Sequence, residues 1–134
     1  MKRFVLVTGT DTGVGKTTVS VALLSAWAKR GLLVRPCKPL ETGVEDGDIH
    51  SDADRLAQAV GLSRVETSWL RFRAPVAPEA AAAAEGRPID PQTLVDRCLM
   101  LPGDRILIEG AGGLLVPIAP GFLFGDLARA LGAR

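Results

Sequence analysis

The sequence predicts an α/β fold, with a mostly parallel sheet flanked by helices, and three observations support this. Short apolar runs at residues 4–8, 32–37 and 104–109 are typical of buried strands in a parallel sheet. Residues 17–30 carry apolar side chains at helical spacing, and Gly31 ends that helix. Glycine-rich loops follow the first and third apolar runs. We therefore expect a right-handed strand–loop–helix–strand crossover at the start of the chain.

The other segments predict a longer α/β chain with fewer clear signals. Residues 39–50 lack periodicity and predict a long loop, whereas the segment 64–75 is ambiguous, with an alternation at residues 70–73 that suits a half-exposed strand. We expect helices at 51–60, 79–85, 91–101 (capped by Asp90) and 125–131, and a short strand at 114–118. Only three core strands are evident, so we expect residues 1–134 to form a single domain that is incomplete at its C-terminus.

Composition narrows the class of protein. The 134 residues are 47% hydrophobic and 23% charged, which predicts a folded chain, and the formal net charge is only +1. That charge gives no general case for binding nucleic acid or an anionic membrane. The two cysteines, Cys37 and Cys98, are too few for a disulfide framework and lie in apolar segments. We therefore expect buried free thiols in a cytoplasmic protein.

The strongest motif is Gly-Thr-Asp-Thr-Gly-Val-Gly-Lys-Thr-Thr at residues 9–18, between a predicted strand and a predicted helix. This is the context that a phosphate-binding P-loop requires. Glycines let successive N–H groups face a phosphate, and the helix N-terminus adds its positive end. Lys16 can then reach the β- and γ-phosphates of ATP, and the Thr17 hydroxyl can bind Mg²⁺. A plain tight turn does not account for the Gly-Lys-Thr-Thr ending.

Two further motifs follow the other strands. Glu109-Gly-Ala-Gly-Gly lies at the end of the third strand. An acid at this position of an α/β sheet points into the ligand crevice, and in P-loop enzymes it helps hold the metal. Lys38-Pro-Leu-Glu-Thr-Gly follows the second strand and offers a cation, Lys38, at the crevice edge. In isolation Lys38 would be interpreted as a surface lysine before a proline turn, but the end of the second strand should place it beside the P-loop.

The acidic residues after the Lys38 motif have two interpretations. Asp52 or Asp54, in Ser51-Asp-Ala-Asp, can contact Mg²⁺ or can simply favour the first turn of a helix capped by Ser51 or Asp52. The acidic run from Glu41 to Asp54 is either a solvated loop or a site for a cationic or amine substrate.

Together these motifs resemble one family, dethiobiotin synthetase, along essentially the whole chain. The resemblance rests on residues 7–17, 38–43, 51–53, 85–89 (Glu-Gly-Arg-Pro-Ile) and 108–113, in this order and at this approximate spacing. It implies that the chain corresponds to the N-terminal part of a homodimeric enzyme with its substrate site at the subunit interface. The remaining strands and the adenine-reading loop would lie further on.

The resemblance implies an ATP-dependent ligase of biotin biosynthesis. Its substrates would be 7,8-diaminononanoate, CO₂ and ATP, with Mg²⁺ as the cofactor. One amine captures CO₂ as a carbamate, ATP converts the carbamate to a carbamoyl-phosphate-type mixed anhydride, and the second amine closes the cyclic urea of dethiobiotin.

The same resemblance implies roles for individual residues. Lys16 and Lys38 would be catalytic, Thr12, Lys38 and Thr42 would bind the diamine, and Thr17, Asp52 and Glu109 would hold the metal. ATP would be bound by Gly13, Val14, Gly15, Lys16, Thr17, Thr18, Asp52, Glu109, Gly110, Ala111 and Gly112.

Three alternatives remain open at this point. The chain can be a related P-loop amidoligase of cobalamin synthesis, or a nucleotide-binding fragment without activity. It can also be a nucleotide switch of the partition type, although those proteins carry a lysine where this chain has Asp11.

Overall fold

Three parallel strands form the central sheet in the computed structural model, which describes residues 1–134. The elements follow in the order β1 (Arg3–Val7), α1 (Lys16–Lys29), β2 (Val34–Cys37), β3 (Leu40–Thr42), α2 (Asp52–Gln58), a 3-10 helix (Arg64–Glu66), β4 (Leu70–Phe72), α3 (Pro78–Ala84), α4 (Pro91–Met100), β5 (Arg105–Glu109), β6 (Pro117–Ala119), β7 (Phe122–Leu123) and α5 (Phe124–Leu131). The predicted α/β architecture, a parallel sheet flanked by helices, is confirmed.

The central sheet has the strand order β1-β5-β2, so the last long strand of the chain lies between the first two. Val7 pairs with Glu109 and Cys37 pairs with Ile108. The carboxyl ends of all three strands therefore meet at one edge. The loops that leave this edge carry the P-loop, the Lys38 motif and the Glu109 motif, and this edge is where α/β sheets bind ligands.

Side chains of β5 alternate between two apolar layers, as the period of a strand requires. Leu107 packs with Leu24 of α1 and Leu56 of α2 on one face. Ile106 and Ile108 join the larger cluster on the opposite face, together with residues of α4 and α5. Both faces of the central strand are thus covered, which explains the uninterrupted apolar run Ile-Leu-Ile in the sequence.

The predicted helices and long strands are present, with boundaries that differ by a few residues. Asp90 caps α4 as expected, because its carboxylate accepts a hydrogen bond from the Thr93 N–H at 3.0 Å. Cys37 and Cys98 are free and buried, and burial together with the neighbouring Cys98 raises the pKa of the Cys37 thiol. None of the helices combines the length and the apolar character needed to cross a membrane.

The prediction of an unbroken loop over residues 39–50 was wrong. Residues 40–42 form β3, which pairs in parallel with β4. A three-residue strand is too short to show a period, and its partner lies about thirty residues away in the chain, so local sequence does not reveal it. The strand predicted at 114–118 lies slightly later, as β6, and pairs with the unpredicted β7.

Candidate functional site

The P-loop occupies residues 9–15 and ends at the N-terminus of α1. Gly13 and Gly15 have φ angles of 72° and 102°, in the left-handed region that other residues rarely adopt. Gly15 is the N-cap residue of α1, so the loop bends sharply and delivers the helix N-terminus to the edge of the sheet. The unpaired N–H groups there form the kind of anion site that phosphates occupy.

The second glycine-rich loop packs directly against the P-loop. A Cβ atom added to Gly113 would lie only 2.9 Å from the backbone oxygen of Gly9, so no larger residue fits without moving one loop. The Thr8 hydroxyl also lies 3.4 Å from the carbonyl oxygen of Gly112. The glycines of the Glu-Gly-Ala-Gly-Gly motif thus permit a close approach between the two loops.

A polar cavity of about 460 Å³ opens between these two loops, β3 and the start of α2. Among the residues predicted from the sequence, the cavity is lined by Thr12, Gly13, Gly15, Lys16, Thr17, Thr18, Lys38, Thr42, Asp52, Gly110, Ala111 and Gly112. The structure therefore brings the separate motifs together in one place. A volume in this range suits a small-molecule ligand.

Two predicted site residues do not line this cavity. Val14 is 54% exposed, and its side chain lies over Gly9. Glu109 is fully buried behind the cavity wall, where it contacts two residues that do line the cavity, Lys38 and Thr17. Glu109 therefore contacts the site through these two neighbours.

Glu109 is the centre of a buried polar cluster. Its Oε1 atom accepts a hydrogen bond from the Thr17 hydroxyl at 2.8 Å and another from Lys38 Nζ at 3.1 Å. Lys38 Nζ also donates to the carbonyl oxygen of Gly110 at 3.1 Å. The lysine charge compensates the carboxylate charge, as burial of either group demands.

The second oxygen of Glu109, Oε2, is buried and has no hydrogen-bond partner. A buried carboxylate oxygen without a partner next to the Thr17 hydroxyl is a suitable donor for a hard cation, because Mg²⁺ takes oxygen ligands and combines one or two carboxylates with substrate phosphates. Asp52 adds a second carboxylate at the cavity wall. The residues present therefore fit the magnesium ion expected from the sequence.

Asp52 and Asp54, both in the first turn of α2, make different contacts. Asp54 accepts hydrogen bonds from the Ser51 N–H at 3.0 Å and the Ser51 hydroxyl at 2.7 Å. These bonds form a capping box in which Ser51 is the N-cap residue. Asp54 is thus occupied in holding the helix start, whereas Asp52 is half exposed and lines the cavity.

Lys16 points its ammonium group back to the P-loop. Its Nζ donates to the carbonyl oxygen of Asp11 at 2.8 Å, on the exposed side of the loop. A long lysine stem with an exposed head can turn to a phosphate, because this contact is a single hydrogen bond to solvent-exposed backbone.

The motifs predicted no individual ligand-binding or catalytic role for several residues that line the cavity: Glu41, Gly43, Val44, His50, Ser51 and Arg55. Glu41 lies between Lys38 and Thr42 in the same motif, so its position was the signal that could have found it. Arg55 lies one helical turn after Asp52, with 3.9 Å between Nη1 and Oδ1, but the sequence gives no sign that this face of α2 meets the cavity.

Comparison with known proteins agrees with the motifs. A family model described as an AAA domain matches residues 3–134. An ATP-dependent dethiobiotin synthetase of Anaeromyxobacter sp. strain Fw109-5 is 45% identical over 97% of this chain and 60% of its own length. The protein with the same name in Mycobacterium avium strain 104 is 46% identical over 96% of this chain and 57% of its own length.

The chain spans about three-fifths of the length of these relatives. The resemblance to dethiobiotin synthetase that the motifs indicated is confirmed, since several relatives with that name are 42–46% identical along nearly all of the chain. With its P-loop, its parallel sheet and a family match over residues 3–134, the chain belongs to the AAA domain family.

Proposed function

We propose that this chain carries the ATP site and the reacting centre of an ATP-dependent dethiobiotin synthetase. The observation that carries the proposal is the Lys38–Glu109–Thr17 cluster directly behind the P-loop cavity. It combines a phosphate-binding loop with a second, buried lysine, which a simple nucleotide-binding turn does not need. The relatives' name supplies the reaction class.

The proposed reaction needs positioning and positive charge more than it needs an acid or a base. One amine of 7,8-diaminononanoate attacks CO₂ and loses a proton, giving a carbamate. A carbamate oxygen then takes the γ-phosphoryl group and ADP leaves. The second amine attacks the carbonyl carbon, phosphate departs, and the ring closes. Phosphoryl transfer of this kind depends on electrostatic stabilisation of the oxygens involved.

Residues of the chain divide this work by position. The N–H groups from Gly13 to Thr18 and the Lys16 ammonium group would hold the β- and γ-phosphates. Lys38, fixed between Glu109 and the Gly110 carbonyl, would present its charge to the carbamate and the transferring phosphoryl group. Its hydrogen bonds hold it in place before substrate arrives, so little reorganisation is needed.

The remaining predicted roles concern the metal and the diamine. Thr17, Asp52 and Glu109 would hold Mg²⁺, which when bound supplies positive charge at the phosphates. Thr12 and Thr42 line the cavity and would donate or accept hydrogen bonds at the substrate. Gly110, Ala111 and Gly112 also line the cavity, where their small size would leave room for the nucleotide.

We propose in addition that residues 1–134 act as one folded unit and that the protein functions as a cytoplasmic homodimer with no nucleic acid or membrane partner. Two buried free cysteines are consistent with a reducing compartment. Leu115, which follows the second glycine-rich loop, is 82% exposed and is the kind of apolar side chain that a second subunit would cover.

The proposal is tested by measuring ADP release with Mg-ATP and bicarbonate, with and without 7,8-diaminononanoate, and by identifying dethiobiotin by mass spectrometry. We expect ADP release that depends on the diamine, with dethiobiotin as its product. The Anaeromyxobacter relative provides the positive control. The proposal would be contradicted if ADP release did not depend on the diamine but did depend on another carboxylic acid and an amine. That result would favour an amidoligase.

A further inference from the structure

Glu41 is a buried carboxylate beside the site, and the proposed mechanism gives it no role. It is 2% exposed, lies in the middle of β3 and borders the cavity. Burial of a carboxylate is unfavourable unless its charge and its oxygens are satisfied. A residue of this kind at a cavity wall needs a physical reason, and its contacts supply one.

The two oxygens of Glu41 bind the start of α2 and one arginine. Oε1 accepts a hydrogen bond from the Ala53 N–H at 3.0 Å. Oε2 lies 3.2 Å from Nε of Arg71, which is on the neighbouring strand β4 and is 15% exposed. The Ser51 hydroxyl lies 3.3 Å from Oε2 and shares its single hydrogen between Glu41 and Asp54.

These contacts hold the chain on both sides of Asp52. Ser51 precedes Asp52 and is held by Asp54 and Glu41, while Ala53 follows Asp52 and donates its N–H to Glu41. Ala53 is the second residue of α2, so its N–H has no partner within the helix and is free to take one from β3. The backbone of Asp52 is therefore fixed relative to β3, which begins two residues after Lys38.

We propose that Glu41, held by Arg71, is a positioning residue that fixes Asp52 at the cavity wall for the metal-bound nucleotide. This inference rests on the proposed function, in which Asp52 contributes to the magnesium site. A buried ion pair seldom adds much stability over apolar residues of the same size, but it can fix one arrangement of a fold. Here the arrangement that it fixes is the distance from β3 to the start of α2.

The experiment measures the Mg²⁺ concentration that half-saturates ATP binding, by calorimetry, in the full 134-residue chain. Four proteins are compared: the wild type, Glu41→Gln, Asp52→Asn and the double variant. Glutamine keeps the shape of Glu41 and one acceptor for Ala53 but loses the charge that Arg71 faces. The control is Glu66→Gln, because Glu66 also accepts hydrogen bonds from a capping serine and pairs with an arginine, Arg35, away from the cavity.

We expect Glu41→Gln to raise the required Mg²⁺ concentration several-fold and Glu66→Gln to leave it unchanged. In the Asp52→Asn background, Glu41→Gln should add no further change, since it acts through Asp52. Additive effects, or no effect of Glu41→Gln, would overturn the inference while leaving the proposed function intact. If ATP binding to the wild type does not depend on Mg²⁺, and Asp52→Asn does not change it, both the inference and the proposed function would be overturned.

A second variant covers the case in which Glu41→Gln does not fold. Arg71→Lys keeps the positive charge but replaces Nε, the atom that lies 3.2 Å from Oε2, with a methylene group. We expect it to fold and to shift the Mg²⁺ requirement in the same direction, with faster hydrogen exchange at the Ala53 amide. Unchanged exchange at Ala53 and an unchanged Mg²⁺ requirement in Arg71→Lys would contradict the inference.

Discussion

Lys38 Nζ lies 3.1 Å from Glu109 Oε1, and the two side chains are only 6% and 0% exposed. These residues are 71 positions apart in the chain, and the pair joins the loop after β2 to the end of β5. The pairing of β2 with β5 in parallel brings their carboxyl ends together and creates this contact. The pair holds Lys38 against the end of β5, the central strand of the sheet.

The first prediction concerns the stability of this ion pair. Lys38→Met leaves the Glu109 carboxylate buried without its counter-charge, which should cost about 3–5 kcal/mol of unfolding free energy. The double variant Lys38→Met/Glu109→Gln removes both charges and should recover much of that loss. Urea denaturation of the wild type, both single variants and the double variant measures the coupling, and strictly additive losses would contradict a direct pair.

The second prediction separates ATP binding from chemistry. Lys38→Met should bind Mg-ATP with nearly the wild-type Kd, because the P-loop contacts remain, whereas turnover should fall by about 10²- to 10³-fold, the usual loss when one electrostatic donor is removed from a reacting centre. Calorimetry gives the Kd and product assays give the turnover. If the variant loses ATP affinity and keeps its turnover number, Lys38 is a binding residue rather than a catalytic one.

The third prediction concerns the contact between the two glycine-rich loops. Gly113→Ala places a methyl group 2.9 Å from the backbone oxygen of Gly9, so we expect a loss of about 1–3 kcal/mol in unfolding free energy. The matched control is Gly110→Ala in the same loop, where the nearest atom outside the neighbouring residues is an aromatic carbon of Phe124 at 3.6 Å. Thermal unfolding compares the two, and equal stabilities would show that the loops do not press on each other.

The fourth prediction concerns the pH dependence of stability at the cap of α4. Hydrogen bonds from the Thr93 side chain and N–H lower the pKa of Asp90 below its usual value of 3.8. Folding therefore favours the ionised carboxylate, and its contribution is present above pH 3.8 and is lost as the pH falls through the lower, folded-state pKa. The Tm difference between wild type and Asp90→Asn should shrink towards zero as the pH is lowered. A difference that is constant with pH would exclude a charged cap.

Much of the fold was predictable because its signals are local. Each long strand of the central sheet is an apolar run, and the glycines and the Gly-Lys-Thr ending indicate the P-loop. Even the ambiguous segment at 64–75 showed the alternation of β4 at residues 70–72. The order β1-β5-β2 was not predictable from these signals, because strand neighbours depend on contacts between distant parts of the chain.

The site was predictable in its residue types but not in its internal contacts. Three separate motifs predicted Lys38, Thr17 and Glu109 as site residues. Nothing in the sequence indicates that one oxygen of Glu109 accepts hydrogen bonds from both Thr17 and Lys38. The role of Glu41 was missed because its partners, Ala53 and Arg71, lie on elements that local patterns do not connect. Such contacts follow from tertiary structure alone.

The central claim is that the loop at residues 9–18 binds the phosphates of ATP through Lys16. It is tested most directly by titrating Mg-ATP into the wild type and into Lys16→Ala and comparing the two Kd values by calorimetry. Loss of a charge-assisted contact should weaken binding by about 10- to 100-fold or more. Equal affinity in the two proteins would contradict the assignment of this loop and the function built on it.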